Sequence, residues 1–135
     1  MKMSPSILVV DDDTEVRLGV ADLLGGIGLR VLQAETGMEA IDVVGRNPVD
    51  GALLDMHMPG LTGIEAIPLL HRVRRELRCI VYSGRWTREL EDAVLAAGAC
   101  ACLRKPVQPD VLRREVLRAL DLPNDSFWSP HLDNN

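Results

Sequence analysis

Aromatic residues are almost missing from this chain of 135 residues: they make up 3% of it, whereas hydrophobic residues together make up 47%. The core must therefore be built from aliphatic side chains, as is common where helices cover both faces of a parallel sheet. The length is that of one ordinary domain, which can bury such a core without disulfides or a structural metal. We therefore expect a single α/β domain.

The sequence also lacks the features of secreted, membrane-spanning and nucleic-acid-binding proteins. No apolar run reaches membrane-spanning length, and the N-terminal MKMSPS contains no hydrophobic signal segment. Cys79, Cys100 and Cys102 lie inside apolar runs, which favours small buried core residues in a reducing cytoplasm over disulfides or a metal site. The net charge of -5 argues against nucleic-acid and membrane partners, so the basic stretch HRVRREL is interpreted as solvent-facing helix charge.

What the chain does contain is a regular alternation of short apolar runs and helical patterns. The runs lie at 7–10, 31–32, 52–54, 79–82 and 100–103. Runs such as ILVV and CIVY do not alternate with polar residues, which indicates parallel strands covered on both faces. The second run, between Arg30 and Gln33, is typical of an edge strand. We predict a flavodoxin-like (βα)5 three-layer sandwich with five parallel strands in the order 2-1-3-4-5.

Element boundaries are marked by capping signals and by one proline. The capping boxes Thr36-x-x-Glu39 and Thr62-x-x-Glu65 predict the starts of the second and third helices. Pro68 would fall inside the third helix, which predicts a kink or a late start there. The expected organisation is a flexible N-terminus at 1–6, one domain at 7–121, and a tail or the start of a linker at 122–135.

Polar residues follow four of the apolar runs directly, at the strand ends where doubly wound sheets bind their ligands. They are Asp11, Asp12 and Asp13 after the first run, Asp55 after the third, Ser83 after the fourth and Lys105 after the fifth. Because the first and third strands are neighbours in the predicted order, Asp11, Asp12 and Asp55 should converge. Crowded carboxylates stay ionised only beside a compensating cation, and Mg²⁺ suits such oxygen ligands.

These residues stand in four motifs, VVDDD, LLDMHMPGLTG, YSG and RKP, whose order resembles the receiver domain of two-component response regulators, the chemotaxis type included. The resemblance extends from Ile7 to about Asp121. It implies that Asp55 accepts a phosphoryl group from a phosphohistidine on a sensor histidine kinase or a histidine phosphotransfer protein. It also implies that Asp12 binds Mg²⁺, or Mn²⁺ in its place, directly, that Asp11 binds it mainly through water, and that the backbone carbonyl of His57 is a further ligand.

The same resemblance assigns roles to the residues around the phosphoryl group. Lys105 and the Ser83 hydroxyl would each contact a phosphoryl oxygen, and the Lys105–Pro106 peptide bond would be cis. His57 and Arg85 occupy the two variable positions that tune phosphate lifetime. The protein would catalyse only its own phosphorylation and dephosphorylation, and would then regulate an unknown downstream protein, with a phosphorylation-dependent homodimer as one outcome.

The chain departs from the family pattern at Cys102. In the family an aromatic residue lies three positions before the lysine and follows the hydroxyl of the Ser83 position when phosphorylation pulls it inward. A cysteine has no ring to do this. Our hypothesis is that the switch is unconventional and uses a backbone shift of the loop after Ser83, which carries Trp86.

Simpler structural roles remain open for each site residue taken alone. Asp13, or Asp12 itself, could cap the first helix, Ser83 could cap the fourth, and Lys105 could be a solvated surface lysine. Three rival functions are also open. A phosphorylation-independent pseudo-receiver would keep the fold alone, a haloacid-dehalogenase-like phosphatase would have a second aspartate where His57 lies, and a flavodoxin would have a Ser, Thr and Gly-rich loop in place of DDDTE.

Overall fold

The computed structural model describes residues 4–123, in which five strands alternate with five helices. The strands are β1 Ser6–Val10, β2 Arg30–Ala34, β3 Gly51–Asp55, β4 Arg78–Ser83 and β5 Ala101–Arg104. The helices are α1 Thr14–Gly26, α2 Gly37–Arg46, α3 Gly63–Val73, α4 Arg88–Ala96 and α5 Pro109–Ala119. All strand pairs are parallel and the order is β2-β1-β3-β4-β5. The predicted flavodoxin-like fold is therefore confirmed.

The sheet separates two hydrophobic cores, because successive residues of a strand point to opposite faces. The α2–α4 core lies on one face and contains, from the strands, Leu8, Val10, Ala52, Leu54, Cys79 and Val81. The α1–α5 core lies on the other and contains Ile7, Val9, Leu53, Ile80, Tyr82 and Leu103. Every residue of β1 and β3 is buried, whereas β2 is partly exposed at the edge, as its polar flanks predicted. Among the described residues, no helix has the length and apolar character to cross a membrane.

The third helix begins where its capping box predicted. Thr62 Oγ1 accepts a hydrogen bond from the Glu65 N–H at 3.2 Å, and Glu65 Oε1 accepts one from the Thr62 N–H at 2.9 Å. The helix then continues from Gly63 through Pro68, which is exposed, to Val73. The alternative of a late start is therefore wrong, since the box holds the first turn in place ahead of the proline. The kink stays a prediction.

Two further expectations are corrected at the edges of the fold. Ser6, assigned to a flexible segment at 1–6, is buried in β1, and its N–H donates to Asp50 Oδ2 at 2.8 Å. Of the three cysteines only Cys79 is buried; Cys100 is exposed and Cys102 is half-buried, because β5 is the other edge strand. The tail residues 124–135 and residues 1–3 lie outside the described part of the chain.

The basic stretch at the end of α3 divides into two roles. Arg72, in the last helical turn, is exposed, as expected of solvent-facing charge. Arg74 instead donates from Nη2 to the carbonyl oxygens of Val44 and Asn47, both at 3.0 Å. These carbonyls lie at the C-terminal end of α2, where helical hydrogen bonds run out. Part of the basic charge is therefore used to join α2 to α3.

Candidate functional site

Three carboxylates meet at the carboxyl ends of β1 and β3. The two strands pair as Val10 with Leu54, so the next residue of each, Asp11 and Asp55, lie side by side. One carboxylate oxygen from each of Asp11, Asp12 and Asp55 lies within 4.8 Å of the other two. Asp11 and Asp55 are buried, whereas Asp12 is exposed. The convergence expected from the strand order is confirmed, and the cluster is open to solvent on the side of Asp12.

Lys105 lies between the two buried carboxylates. Its Nζ is 3.1 Å from Asp11 Oδ2 and 3.1 Å from Asp55 Oδ1. The Lys105–Pro106 peptide bond is cis, as the resemblance implied. The lysine is also joined to β4, because its backbone N–H donates to the Ser83 carbonyl at 2.9 Å. Lys105 is thus a site residue, and the alternative of a solvated surface lysine is wrong.

The electrostatic balance differs between the two buried acids. Burial alone would raise the pKa of Asp11, but hydrogen bonds from the Tyr82 hydroxyl, a backbone N–H and Lys105 outweigh it and lower the pKa. Burial and the negative charge of Asp11 together raise the pKa of Asp55, and Lys105 offsets this only in part. Burial would lower the pKa of Lys105, yet the two carboxylates raise it. Asp55 is therefore the acid whose negative charge is least compensated.

The donor set fits a hard divalent cation. Three carboxylates face one ammonium group in this cluster, which leaves a net negative charge for a cation to neutralise. All the candidate ligand atoms are oxygens, which Mg²⁺ and Mn²⁺ prefer over nitrogen and sulfur. His57 follows at the same edge, with its N–H donating to Asp55 Oδ1 at 3.3 Å and its imidazole exposed. The cluster can therefore hold a metal ion.

Ser83 ends β4 with a hydroxyl that makes local hydrogen bonds. Its Oγ accepts from the Arg85 N–H at 3.1 Å and donates to the Arg85 carbonyl at 3.3 Å. The cap of α4 is Thr87, whose side chain accepts from the Leu90 N–H at 3.0 Å, so the alternative of Ser83 as that cap is wrong. The Arg85 side chain is exposed. To donate to a group bound to Asp55, the Ser83 hydroxyl must give up its hydrogen bond to the Arg85 carbonyl, because it has only one proton.

Trp86 extends from the β4–α4 loop to β5. Its indole Nε1 donates to the Leu103 carbonyl at 2.7 Å, one residue beyond Cys102. Trp86 and Cys102 are both half-buried and pack against the α2–α4 core. Burial raises the pKa of Cys102 to about 11, so its thiol is neutral at physiological pH. Cys102 thus lacks the aromatic ring of the family, but Trp86, from the loop that follows Ser83, reaches the neighbouring residue of β5.

Sequence reasoning missed two buried residues that contact Asp11. Arg17 donates from Nη1 to the Asp11 carbonyl at 2.8 Å, and it is buried on the same side of α1 as Ala21 and Leu24. Tyr82 donates its hydroxyl to Asp11 Oδ2 at 2.5 Å, although it reads as the last member of an apolar run. The sequence contained one indication of each contact: a charged group among the apolar residues of α1, and a hydroxyl at the end of the apolar run of β4. Asp13, in contrast, caps α1 as expected, by accepting from the Val16 N–H at 3.2 Å.

Comparison with known families identifies the family to which the chain belongs. The sequence model of the response regulator receiver domain family matches residues 7–117, which include the acid cluster, Ser83 and Lys105. The chain belongs to this family. The receiver domain therefore takes part in two-component signalling, in which such domains receive phosphoryl groups from kinases.

Similar proteins include stand-alone receivers and receivers within longer chains. The chain is 28% identical over 123 residues to sporulation initiation phosphotransferase F of Bacillus subtilis, covering 91% of this chain and 99% of that protein. It is 32% identical over 108 residues to the sensor histidine kinase RcsC of Escherichia coli, covering 80% of this chain but 11% of the kinase. A CheY-like receiver domain structure from Methanospirillum hungatei superposes with a TM-score of 0.83 at 30% identity, covering 88% of this chain and 95% of that one.

Proposed function

We propose that Asp55 of this receiver domain accepts a phosphoryl group from a phosphohistidine, in a reaction that requires Mg²⁺ or Mn²⁺. The observation that carries the proposal is the position of Asp55, a buried carboxylate of the acid cluster whose Oδ1 lies 3.1 Å from the Nζ of Lys105. A phosphoryl group attached there would lie within reach of the ammonium group and of the Ser83 hydroxyl once that hydroxyl gives up its hydrogen bond to the Arg85 carbonyl. Asp11, Asp12, Asp55 and the His57 carbonyl would hold the metal ion.

The chemistry assigns one task to each side chain. A carboxylate oxygen of Asp55 attacks phosphorus, the bond from phosphorus to the histidine nitrogen breaks, and its electron pair stays on the imidazole. Lys105 neutralises negative charge on the phosphoryl oxygens and the Ser83 hydroxyl donates a hydrogen bond to one of them, since electrostatic stabilisation is the main form of catalysis in phosphoryl transfer. A bound Mg²⁺ would neutralise a further oxygen. The product is an acyl phosphate that water hydrolyses, and the exposed His57 and Arg85 would tune the rate of that hydrolysis.

The partners follow from the relatives. One similar protein is a phosphotransferase of sporulation and another is a sensor histidine kinase, which supports a histidine kinase or a histidine phosphotransfer protein as the donor. Phosphorylation would cause a conformational change that regulates a downstream protein or leads to a homodimer. The domain would act in the cytoplasm. Apart from its own phosphorylation and dephosphorylation, the domain would catalyse no reaction. The other similar proteins include a transcriptional activator of which the chain spans 54%.

The test is chemical phosphorylation followed by intact mass measurement. With Mg²⁺ and acetyl phosphate or phosphoramidate, we expect one added phosphate that is stable to acid and labile to base. Asp55→Asn should abolish it, and Asp22→Asn, at an exposed position of α1, should leave it unchanged. If neither donor nor a phosphorylated histidine phosphotransfer protein adds mass, the domain is a pseudo-receiver. Sustained hydrolysis of p-nitrophenyl phosphate would instead favour the phosphatase alternative.

A further inference from the structure

Tyr82 lies next to the acceptor in the sheet. It precedes Ser83 in β4, is fully buried, and pairs with Asp55 across the β3–β4 ladder. Paired residues of parallel strands share a face, so the ring of Tyr82 and the carboxylate of Asp55 lie on the same side of the sheet. On its other side Tyr82 pairs with Leu103, and Lys105 follows two residues later on that face. The backbone of Tyr82 on β4 therefore lies between Asp55 at the end of β3 and the end of β5, which Lys105 follows.

The Tyr82 side chain contacts Asp11 through its hydroxyl and Lys105 through its ring. The hydroxyl donates to Asp11 Oδ2 at 2.5 Å, and the ring centroid lies 4.5 Å from the Nζ of Lys105. The other oxygen of Asp11, Oδ1, accepts from the Asp13 N–H at 2.9 Å. Asp11 is therefore held at both oxygens, while Lys105 lies over an aromatic face that attracts cations.

Packing alone does not account for a tyrosine here. The α1–α5 core would be filled as well by phenylalanine or a large aliphatic residue, and a buried hydroxyl must have a hydrogen-bond partner. The partner of this hydroxyl is a candidate metal ligand. A carboxylate offers roughly four acceptor positions, and the donors from Tyr82, Lys105 and the Asp13 backbone occupy three of them on Asp11. One acceptor position of Asp11 is therefore left to bind a cation or a water of the cation, and these three hydrogen bonds fix its direction.

We infer that Tyr82 is a positioning residue of the phosphoryl-transfer site: its hydroxyl orients Asp11 toward the cation, and its ring holds Lys105 toward the phosphoryl group. The inference rests on the proposed function for the role of Lys105. The role toward Asp11 concerns cation binding alone, and it can be measured without any phosphorylation.

Two variants separate the hydroxyl from the ring. Tyr82→Phe removes one oxygen and keeps the ring, whereas Tyr82→Leu removes both. Ile80→Val is the matched control, because Ile80 is buried in the same core two residues earlier in β4 and contacts neither charge. The measurements are the dissociation constant for Mg²⁺ by calorimetry, the rate of phosphorylation by phosphoramidate at saturating Mg²⁺, and the free energy of unfolding.

We expect Tyr82→Phe to weaken Mg²⁺ binding by about 3- to 10-fold, the range of a single hydrogen bond, with the rate at saturating Mg²⁺ within about twofold of the wild type. Tyr82→Leu should also lower that rate, by about 3- to 10-fold, because Lys105 loses the ring face. Ile80→Val should change neither quantity. A structural role alone would reduce the stability of both tyrosine variants and leave their Mg²⁺ binding as in the wild type, and this result would overturn the inference.

A measurement on the unmutated chain keeps the inference testable if a variant does not fold. Tyr82 is the only tyrosine of the sequence, so incorporation of 3-fluorotyrosine gives a single fluorine resonance from this ring. We expect that resonance to shift during a Mg²⁺ titration with the dissociation constant found by calorimetry. An unmoved resonance while calorimetry records binding would contradict the inference. If the wild type binds Mg²⁺ with the expected shift but is never phosphorylated, only the proposed function fails.

Discussion

At the residue scale, burial opposes the negative charge of Asp55, whereas the role that we propose for Asp55 requires that charge. Its pKa is raised by desolvation and by Asp11, and Lys105 compensates only in part. A carboxyl group whose pKa is higher in the folded than in the unfolded state reduces stability in full above its folded pKa, and this cost shrinks as the pH falls from the folded pKa to the unfolded one. In the absence of a cation, Asp55 therefore lowers the stability of the domain.

We predict that Asp55→Asn stabilises the metal-free protein. Without Mg²⁺ at pH 7, the free energy of unfolding should rise by on the order of 1 kcal/mol, because a neutral amide removes the repulsion from Asp11. The gain should shrink as the pH is lowered, and also when Mg²⁺ is added, since the cation stabilises the wild type more than the variant.

Urea denaturation with and without a chelator measures the effect. Asp22→Asn, which removes an exposed carboxylate of α1, serves as the control and should change stability little. A less stable Asp55→Asn protein in chelator would show that the Lys105–Asp55 ion pair outweighs the repulsion.

At the element scale, the helices and strands were predictable wherever one local pattern determined them. The unbroken apolar run ILVV predicted a strand buried on both faces, and β1 is buried throughout. The capping box of Thr62 predicted the first turn of α3. The continuation of α3 beyond Pro68 was not predictable in the same way. The low helix propensity of proline opposes it, whereas the burial of Ile67 and Leu70 in the α2–α4 core favours it.

The proline in α3 gives the prediction at this scale. Pro68 is exposed and lacks the N–H that would donate to the Ile64 carbonyl one turn earlier. We expect Pro68→Ala to raise the free energy of unfolding by about 1–2 kcal/mol, the helix-propensity gain less the entropy that proline removes from the unfolded chain.

Urea denaturation checks this expectation, with Arg72→Ala at an exposed position of the same helix as the control. A Pro68→Ala protein no more stable than the wild type would indicate that α3 has already adjusted to the missing hydrogen bond.

At the scale of the whole molecule, topology explains which parts of the site could be predicted. The order of the strands brings Asp11, Asp12 and Asp55 to one edge, so an argument from strand order was sufficient for the acid cluster. The contacts of Tyr82 and Arg17 depend on strand register and side-chain rotamers, which residue patterns do not specify. The same holds for Trp86, whose indole N–H reaches the Leu103 carbonyl from a separate loop.

The position of Trp86, in the loop after Ser83, makes its fluorescence a measure of the conformational change. A Ser83 hydroxyl that donates to a phosphoryl group on Asp55 must give up its hydrogen bond to the Arg85 carbonyl, and our hypothesis is that the loop carrying Trp86 then shifts. In a Trp128→Phe background, which leaves Trp86 as the only tryptophan, we expect beryllofluoride with Mg²⁺ to change the tryptophan emission. The same addition to Asp55→Asn should produce no change. Unchanged emission while calorimetry records beryllofluoride binding would refute the loop-shift hypothesis.

The sharing of one ammonium group between Asp11 and Asp55 has a thermodynamic consequence. When Lys105 turns to a phosphoryl oxygen, Asp11 keeps the Tyr82 hydroxyl and a backbone N–H but loses the ammonium group of Lys105, so the modified domain should attract a divalent ion more strongly than the resting one. Linkage makes this coupling reciprocal: the ion must favour the modified form by the same factor. Magnesium would then act as a heterotropic effector of the signal as well as an ingredient of its chemistry.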